Sequence, residues 1–228
     1  MSGVTPTRIE SPPRFAIVDY GAGNLVSIEQ ALLSAGAAVV RATGPDDLPD
    51  ADALVVPGVG AAAPAMERLE QAGLVEPIRR WIADDRPFLG ICLGLQLLFE
   101  GSDEDGAATL GVLRGRTRRL EDAPSLPHIG WNQVERRRDH PAFAGIPDAA
   151  DFYFVHSYAG AADGAGDEVV LATTTHGRPF ASAVASGRLL GVQFHPERSG
   201  EDGLRLLANV VAAVRPASVA RDDLPVTA

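Results

Sequence analysis

Three side chains have the types and the spacing for nucleophilic chemistry: Cys92, His195 and Glu197. Cys92 is the only cysteine, and it stands between two glycines in the pattern Gly90-Ile91-Cys92-Leu93-Gly94. This pattern is typical of a sharp strand-to-helix turn that exposes a nucleophile above a parallel sheet. The start of a helix also offers unpaired backbone N–H groups and a positive dipole end, which favour a reactive thiolate. Taken alone, a free cysteine between leucines is equally consistent with a small buried hydrophobic residue.

The segment His195-Pro196-Glu197 supplies groups that could activate this thiol. On an extended segment, residues i and i+2 point the same way, so we expect both polar side chains to face one edge of the sheet, with Pro196 stiffening the backbone between them. Nucleophilic acyl transfer uses this combination of groups: a cysteine, a histidine that moves its proton and a carboxylate that fixes the imidazole tautomer. His195 alone is equally consistent with a structural histidine, but the joint pattern predicts catalysis.

The rest of the sequence predicts the elements that position these residues. Short apolar runs alternate with helical patterns, and this alternation indicates a doubly wound parallel sheet. We predict strands at 15–19, 37–41, 53–56, 88–91 and 189–194. We predict helices at 64–71, 75–84 and 203–211, and helices with apolar faces formed by Leu25, Ile28, Leu32 and Leu33 and by Leu93, Leu97, Leu98 and Phe99. Between 102 and 185, short segments broken by glycine and proline predict antiparallel strands.

The predicted fold is therefore α/β: an open, mostly parallel, doubly wound sheet with flanking helices and an added antiparallel β portion. We expect one domain at 14–215, between a flexible leader at 1–13 and a flexible tail at 216–228, because 228 residues with 46% hydrophobic content can bury one full core. The loop Pro57-Gly58-Val59-Gly60 then leaves the same sheet edge as Cys92. Its glycines allow a backbone N–H to turn toward a substrate oxygen, although an ordinary β–α turn explains them equally well.

Composition excludes several classes of function. The net charge is −10, and so acidic a surface disfavours nucleic acid as the main partner. All 20 basic residues are arginines, so this sequence has no Schiff-base lysine, no pyridoxal phosphate anchor and no Walker-loop lysine. A single cysteine rules out an internal disulfide and a cysteine-rich zinc site, so we expect no metal, no cofactor and a reducing, cytoplasmic location. The polar N-terminal segment predicts neither a signal peptide nor a membrane span.

The motif around Cys92 and the later His195-Pro196-Glu197 together resemble the class I, triad-type glutamine amidotransferases. Other motifs are similar to one branch of that family, the glutaminase subunits of imidazole glycerol phosphate synthases in histidine biosynthesis. They are Tyr20-Gly21-Ala22-Gly23-Asn24, Pro57-Gly58-Val59-Gly60, Pro127-His128-Ile129-Gly130-Trp131-Asn132, Tyr153-Phe154-Val155-His156-Ser157-Tyr158 and Gly191-Val192-Gln193-Phe194-His195-Pro196-Glu197-Arg198-Ser199-Gly200. The resemblance covers 14–215.

This resemblance implies a reaction and a set of roles. Cys92 attacks the side-chain amide of glutamine, His195 protonates the departing ammonia and Glu197 orients His195, so that a γ-glutamyl thioester forms and water then releases glutamate. The oxyanion would be held by the backbone N–H groups of Leu93 and, after a rearrangement, of Val59. The amino-acid end of glutamine would be held by Gly60, Gln96, His156, Ser157 and Tyr158.

The resemblance also implies a partner, a separate (β/α)₈ cyclase subunit that forms a heterodimer with this chain and receives the ammonia. The docking face would include Asn24, Trp131, Asn132 and Arg198. Two positions depart from the pattern of many members: Arg198 stands in place of lysine, which affects partner contacts, and Ala62 in place of phenylalanine, which affects the packing of the oxyanion loop.

Two other functions stay open at this point. The chain could be the glutaminase of another branch, in anthranilate, guanylate or pyridoxal phosphate synthesis, although the Trp131-Asn132 motif and the Tyr20 to Asn24 turn are not expected there. It could also be a docking subunit without catalysis, because a fold does not fix a function. The intact cysteine, histidine and glutamate argue against that alternative.

Overall fold

A computed structural model of the chain describes residues 11–162, 166 and 168–214. Most of the leader expected at 1–13 and all of the tail expected at 216–228 lie outside the described residues, so the division into leader, domain and tail stays a prediction. Within the part of the chain that the structure describes, no helix is both long enough and apolar enough to cross a membrane.

The described chain forms twelve strands and five α-helices. The strands are β1 (Arg14–Val18), β2 (Ala38–Ala42), β3 (Ala53–Val56), β4 (Phe88–Ile91), β5 (Gly101–Ser102), β6 (Arg116–Arg119), β7 (His128–Arg136), β8 (Ala150–His156), β9 (Tyr158–Gly160), β10 (Val170–His176), β11 (Arg178–Ser186) and β12 (Leu189–Val192). The helices are α1 (Leu25–Ser34), α2 (Ala62–Gln71), α3 (Val75–Ala83), α4 (Leu93–Gln96) and α5 (Gly200–Val214). Short 3₁₀ turns lie at Pro45–Asp47, Pro141–Phe143 and Pro196–Arg198.

Nine strands form one sheet in the order β2-β1-β3-β4-β12-β11-β10-β7-β8. The first five strands in this order are parallel, and the remaining pairs are antiparallel. The antiparallel strands therefore extend the main sheet beyond β12, and the predicted fold class is confirmed. A second sheet has the order β5-β6-β9, and its β5–β6 pair is parallel, whereas the sequence predicted antiparallel strands in this region.

Apolar residues fill both faces of the parallel half. Phe15 and Ile17 of β1 belong to one core cluster, and Ala16 and Val18 belong to the other. This division follows from the alternation of side chains along a strand, and it explains why β1 reads as a continuous apolar run. The first cluster includes the buried faces of α1 and α5, and the second includes those of α2, α3 and α4. The parallel half of the sheet is therefore covered on both sides.

Two predictions about helices are wrong. Leu33 is 43% exposed, and Ala31 is buried in its place, because Leu33 lies about 100° further around α1 than the buried Leu32. The helix predicted through Phe99 ends at Gln96. The carbonyl oxygens of the next three residues accept backbone hydrogen bonds of 2.7–2.9 Å from the segment 110–113 and so do not continue the helix. Periodicity in the sequence does not reveal this competing partner.

Candidate active site

Cys92 alone forms the turn between β4 and α4. Its φ is 54° and its ψ is −110°, a backbone conformation that residues other than glycine seldom adopt. A Cβ placed on Gly90 would lie 2.8 Å from the carbonyl oxygen of Gly94, and a Cβ on Gly94 would collide with the carbonyl oxygen of Val56. The elbow predicted from the glycine spacing is thus confirmed, and both glycines are needed because adjacent backbone leaves no room for a methyl group.

Strand β12 brings His195 to the elbow. It runs parallel to β4 with Val192 opposite Ile91, and the N–H of Cys92 donates to the carbonyl oxygen of Val192 at 2.8 Å. The chain beyond Val192 therefore leaves the sheet beside the thiol. Hydrogen bonds hold the backbone of His195 in place: its N–H donates to the carbonyl oxygen of Tyr153 at 2.9 Å, and its carbonyl oxygen accepts from the Ser199 hydroxyl at 2.6 Å.

Glu197 contacts His195 as predicted, but through a different local structure. Nδ1 of His195 lies 2.9 Å from Oε1 of Glu197, and the two side chains are only 7% and 1% exposed. The extended segment that the sequence predicted is wrong, because Pro196–Arg198 is a 3₁₀ turn that follows His195. The N–H of Arg198 donates to the carbonyl oxygen of His195 at 3.0 Å, so the backbone folds back and returns the carboxylate to the imidazole.

The surroundings of His195 give it a positive charge. Burial by itself would lower the pKa of this imidazole, but its interactions with Cys92 and with Glu197 outweigh burial and raise the pKa to about 10. An imidazolium beside a thiol favours the thiolate. Nε2 of His195 is buried and makes no well-aligned hydrogen bond with a described residue, so the N–H of the imidazolium at this atom is not committed to a protein acceptor. The arrangement suits a charged donor next to an activated nucleophile.

A cavity of about 290 Å³ lies in front of Cys92. Every residue that the sequence analysis assigned to the oxyanion or to glutamine lines it: Val59, Gly60, Leu93, Gln96, His156, Ser157 and Tyr158. Glu104, Pro127 and Val155 also line the cavity, and the sequence analysis missed them. Only the acidic run at 103–105 marks Glu104 in the sequence, and such a run is ordinarily a solvated loop. The cavity has the size of a small-molecule site with one carboxylate at its edge.

The loop 57–60 is anchored at its first half and open at its second. The buried Tyr20 hydroxyl donates to the carbonyl oxygen of Pro57 at 2.8 Å, and burial raises the pKa of this phenol, so it stays a donor. A side chain on Gly58 would collide with the Tyr20 hydroxyl. Val59 is 46% exposed, and Gly60 has a φ of 88°, which glycine adopts without strain. The half of the loop that lines the cavity is therefore the half with fewer steric constraints, because nothing lies within 4 Å of a Cβ placed on Gly60.

A chain of hydrogen bonds runs behind the cavity through two neutral histidines. Nδ1 of His156 lies 3.0 Å from the carbonyl oxygen of Tyr158, and Nε2 of His156 lies 3.1 Å from Nδ1 of His128. A carbonyl oxygen only accepts, so His156 donates from Nδ1 and accepts at Nε2. Burial is the main cause that lowers the pKa of His156 to about 3 and that of His128 to about 4. Among the described residues, no group of three or more His, Cys, Asp or Glu side chains could hold a metal ion.

The four residues predicted for the docking face lie in different settings. Trp131 is 56% exposed and packs edge-on against Tyr153, and the guanidinium of Arg198 lies 4.3 Å from the centre of the Tyr153 ring. Asn24 is exposed at the start of α1. Asn132 instead donates to Nε2 of His128 and to the carbonyl oxygen of Thr175, because neighbouring strand residues point to opposite faces. Its amide thus belongs to the histidine chain rather than to the exposed aromatic patch.

The family profile described as "Glutamine amidotransferase class-I" matches residues 16–214, nearly all of the described chain. The chain belongs to the class-I glutamine amidotransferase family. This amidotransferase is 49% identical over 197 residues to the imidazole glycerol phosphate synthase subunit HisH of Symbiobacterium thermophilum, a match that covers 86% of this chain and 92% of that relative. It is 46% identical over 212 residues to the subunit HisH of Chloroflexus aurantiacus, covering 90% and 99%. It therefore belongs to the same family as these HisH subunits.

Solved structures support the fold of the amidotransferase. PurLQS from Thermotoga maritima superposes with a TM-score of 0.71 at 17% identity, covering 90% of this chain and 100% of that chain. A glutamine amidotransferase from Thermotoga maritima superposes with a TM-score of 0.59 at 20% identity, covering 86% and 81%. At these identities the likeness concerns the fold alone.

Proposed function

We propose that this amidotransferase hydrolyses glutamine to glutamate and ammonia through a thioester on Cys92. One observation carries the proposal: the strained elbow holds the thiol next to a charged His195–Glu197 pair, at the wall of a cavity of about 290 Å³. A core cysteine that serves only packing needs neither a strained backbone nor a buried ion pair beside it.

The proposed chemistry assigns one role to each member of the triad. The thiolate of Cys92 attacks the side-chain carbonyl carbon of glutamine, and the negative charge moves to the carbonyl oxygen. His195 then gives its Nε2 proton to the nitrogen as the C–N bond breaks, so that ammonia leaves and a thioester remains. Water attacks the thioester carbon after losing a proton to His195, and the C–S bond breaks to release glutamate. Glu197 holds the imidazole in place and stabilises its positive charge.

The cavity residues divide between the two ends of the substrate. We assign the oxyanion to the backbone N–H groups of Leu93 and Val59, since donors aimed at a developing charge are generally worth a few kcal/mol each. The amino-acid end is assigned to Gly60, Gln96 and the segment 156–158. Both ring nitrogens of His156 are engaged within the protein, so this segment offers the Ser157 hydroxyl rather than the imidazole. Glu104 extends the assignment, because a carboxylate at the cavity edge suits the α-ammonium group of glutamine.

The names of the HisH relatives support a partner for the ammonia. In the proposal, a separate (β/α)₈ cyclase subunit docks on the exposed patch of Trp131, Tyr153 and Arg198 and on Asn24, receives ammonia, and forms imidazole glycerol phosphate and aminoimidazole carboxamide ribonucleotide in histidine biosynthesis. The cytoplasmic location expected from the single cysteine belongs to the same proposal.

The loop 57–60 is the proposed point of control. If the peptide at Val59 rests with its carbonyl toward the cavity, the oxyanion meets an acceptor, and hydrolysis stalls although the triad is complete. Cyclase and nucleotide would then have to bias the loop by a few kcal/mol. We expect glutamate release to be very low for the isolated chain and to rise strongly when the cyclase and its nucleotide are added together. Full activity without the partner would refute the switch and leave the triad untouched.

Covalent labelling tests the nucleophile directly. Treatment with a diazo-ketone analogue of glutamine, followed by peptide mapping, should place one label on Cys92, because the analogue is guided by the cavity to the activated thiol. A matched Cys92→Ser variant should take up no label. Labelling that persists in Cys92→Ser, or that spreads to other side chains of the native protein, would refute the assignment.

A further inference from the structure

Gln193 has no role in the function proposed above, yet its amide lies beside the reacting sulfur. The residue follows β12 and is fully buried, with an exposed fraction of 0%. Its Nε2 lies 3.6 Å from Sγ of Cys92, within the range of an N–H···S hydrogen bond. Its Oε1 lies 3.1 Å from Nε2 of Gln96. A buried amide normally pairs with backbone or water, so its contact with a nucleophile needs an explanation.

The surrounding hydrogen bonds fix which end of the Gln193 amide faces the sulfur. Nε2 of Gln96 lies 2.7 Å from the carbonyl oxygen of Tyr158, and because that oxygen only accepts, the Gln96 atom must be the amino group. The second hydrogen of this amino group points to Gln193, so the Gln193 atom that it meets is the oxygen. The remaining nitrogen of Gln193 therefore faces Cys92. A flipped amide would set two amino groups against each other.

The Tyr158 carbonyl oxygen, at the start of this series of hydrogen bonds, accepts from two donors. It accepts from Gln96 and from Nδ1 of His156, at 2.7 and 3.0 Å, and so uses both of its lone pairs. Tyr158 also lies in β9, where it pairs with Arg119 of β6. The position of Tyr158 in β9 therefore fixes the Gln96 amide, and the Gln96 amide fixes the direction of the Gln193 N–H.

We propose that Gln193 is a further catalytic residue, which donates its Nε2–H to the thiolate of Cys92, and that Gln96 is the positioning residue that aims it. A hydrogen bond to a charged acceptor is roughly twice as strong as one to a neutral acceptor, so this donor favours the thiolate over the thiol. The proposal rests on the function proposed above and adds a residue to it. The same N–H acts again when the thioester breaks, because the electron pair of the C–S bond then returns to sulfur as a thiolate.

The test follows alkylation of the single cysteine by iodoacetamide against pH, with intact mass as the readout. We expect Gln193→Met, which keeps the volume and removes the donor, to move the midpoint of the profile upward by about one pH unit, or about tenfold less thiolate below the midpoint. Gln193→Glu, which sets a carboxylate beside the sulfur, should move it further. The exposed Gln71→Met is the matched control and should leave the midpoint unchanged.

A second variant covers the case in which Gln193→Met does not fold. Gln96→Met keeps the Gln193 donor but removes the hydrogen bond that orients it. It should therefore move the midpoint in the same direction by a smaller amount. In variants that fold, glutamine turnover should fall in kcat by about tenfold for Gln193→Met, with KM within about twofold, because Gln193 does not line the cavity. Folded Gln193 and Gln96 variants with unmoved midpoints would overturn the proposal. Turnover is measured with the cyclase and its nucleotide present. Alkylation needs neither these nor glutamine, so native protein that hydrolyses no glutamine in their presence would refute the proposed function separately.

Discussion

Two sets of buried histidines flank the thiol and differ in charge. His195, beyond β12, meets a carboxylate and a thiol, and its pKa rises to about 10. His128 and His156, on the β7–β8 pair, meet each other and a backbone carbonyl, and burial lowers their pKa values to about 4 and about 3. Burial alone would neutralise all three rings, so the interactions of His195 with Cys92 and Glu197, rather than the depth of the site, keep this ring charged.

The neutral pair has a different use. Each ring of that pair accepts at one nitrogen and donates at the other, so its tautomer is fixed. The pair therefore holds its neighbours in place and has no nitrogen left to exchange a proton. The pair links Asn132 to the Tyr158 carbonyl at the cavity edge. The site thus combines one charged imidazole on the β12 side with two neutral, hydrogen-bonded imidazoles on the β7–β8 side.

The largest expected effect is the loss of the charged ring. His195→Asn should reduce glutamine hydrolysis about 10³-fold or more, because it removes the group that protonates the leaving nitrogen. Ammonia-dependent cyclisation by the partner should be unchanged, since ammonia bypasses the triad. The matched control is His140→Asn in the loop before the Pro141–Phe143 turn, where asparagine can still cap, and it should keep full activity. Loss of ammonia-dependent cyclisation in His195→Asn would show that His195 is structural.

A smaller effect is expected for the carboxylate. Glu197→Gln keeps an oxygen that can accept from Nδ1 of His195 but removes the charge that supports the imidazolium. The loss of glutamine turnover should be roughly 10- to 100-fold less severe than that in His195→Asn, as for an orienting residue compared with the base itself. Steady-state glutamate release measures both variants side by side. Equal losses, or no loss in Glu197→Gln, would contradict the role of orienter.

The two sides of the site differ in how far the sequence predicts them. The elbow at Cys92 is revealed by the two-residue spacing of its glycines, although the backbone that excludes a side chain at Gly94 belongs to Val56 of β3. The apolar run at 189–194 also predicts that a strand delivers His195 to an edge of the sheet, but not that this strand pairs with β4. Even so, the contact of His195 with Glu197 arises from a 3₁₀ turn and not from the extended segment that the sequence favoured.

The β7–β8 side and the amide network could not be predicted in this way. Gln193, Gln96 and the Tyr158 carbonyl meet only because β12, α4 and β9 come together in space, and no periodic pattern encodes that meeting. The same limit applies to the hydrogen bond from the Asn132 amide to the carbonyl oxygen of Thr175, which lies on another strand of the sheet. Side-chain hydrogen bonds over long sequence separations depend on the finished fold.

The smallest expected effect concerns stability between pH 6.5 and pH 5. His128 and His156 stay neutral in the folded protein and take up a proton when unfolded, so stability falls as the pH falls through this window, by about 2 kcal/mol for each ring at pH 5. His195 has the opposite sign: its contribution is complete below pH 6.5 and is lost only as the pH rises toward 10. The free energy of unfolding, measured by denaturant titration at each pH, should change less steeply with pH in His128→Asn than in the native protein. An unchanged slope in that variant would contradict the neutral pair.

The most direct test of the account measures glutamate release and cyclisation together, with the cyclase and its nucleotide present. The native amidotransferase should release glutamate and support cyclisation from glutamine. Cys92→Ser should release none, yet support cyclisation fully when ammonia is supplied, because the thiol is required only for making ammonia. Glutamate release from Cys92→Ser at the native rate would contradict a thioester on this residue.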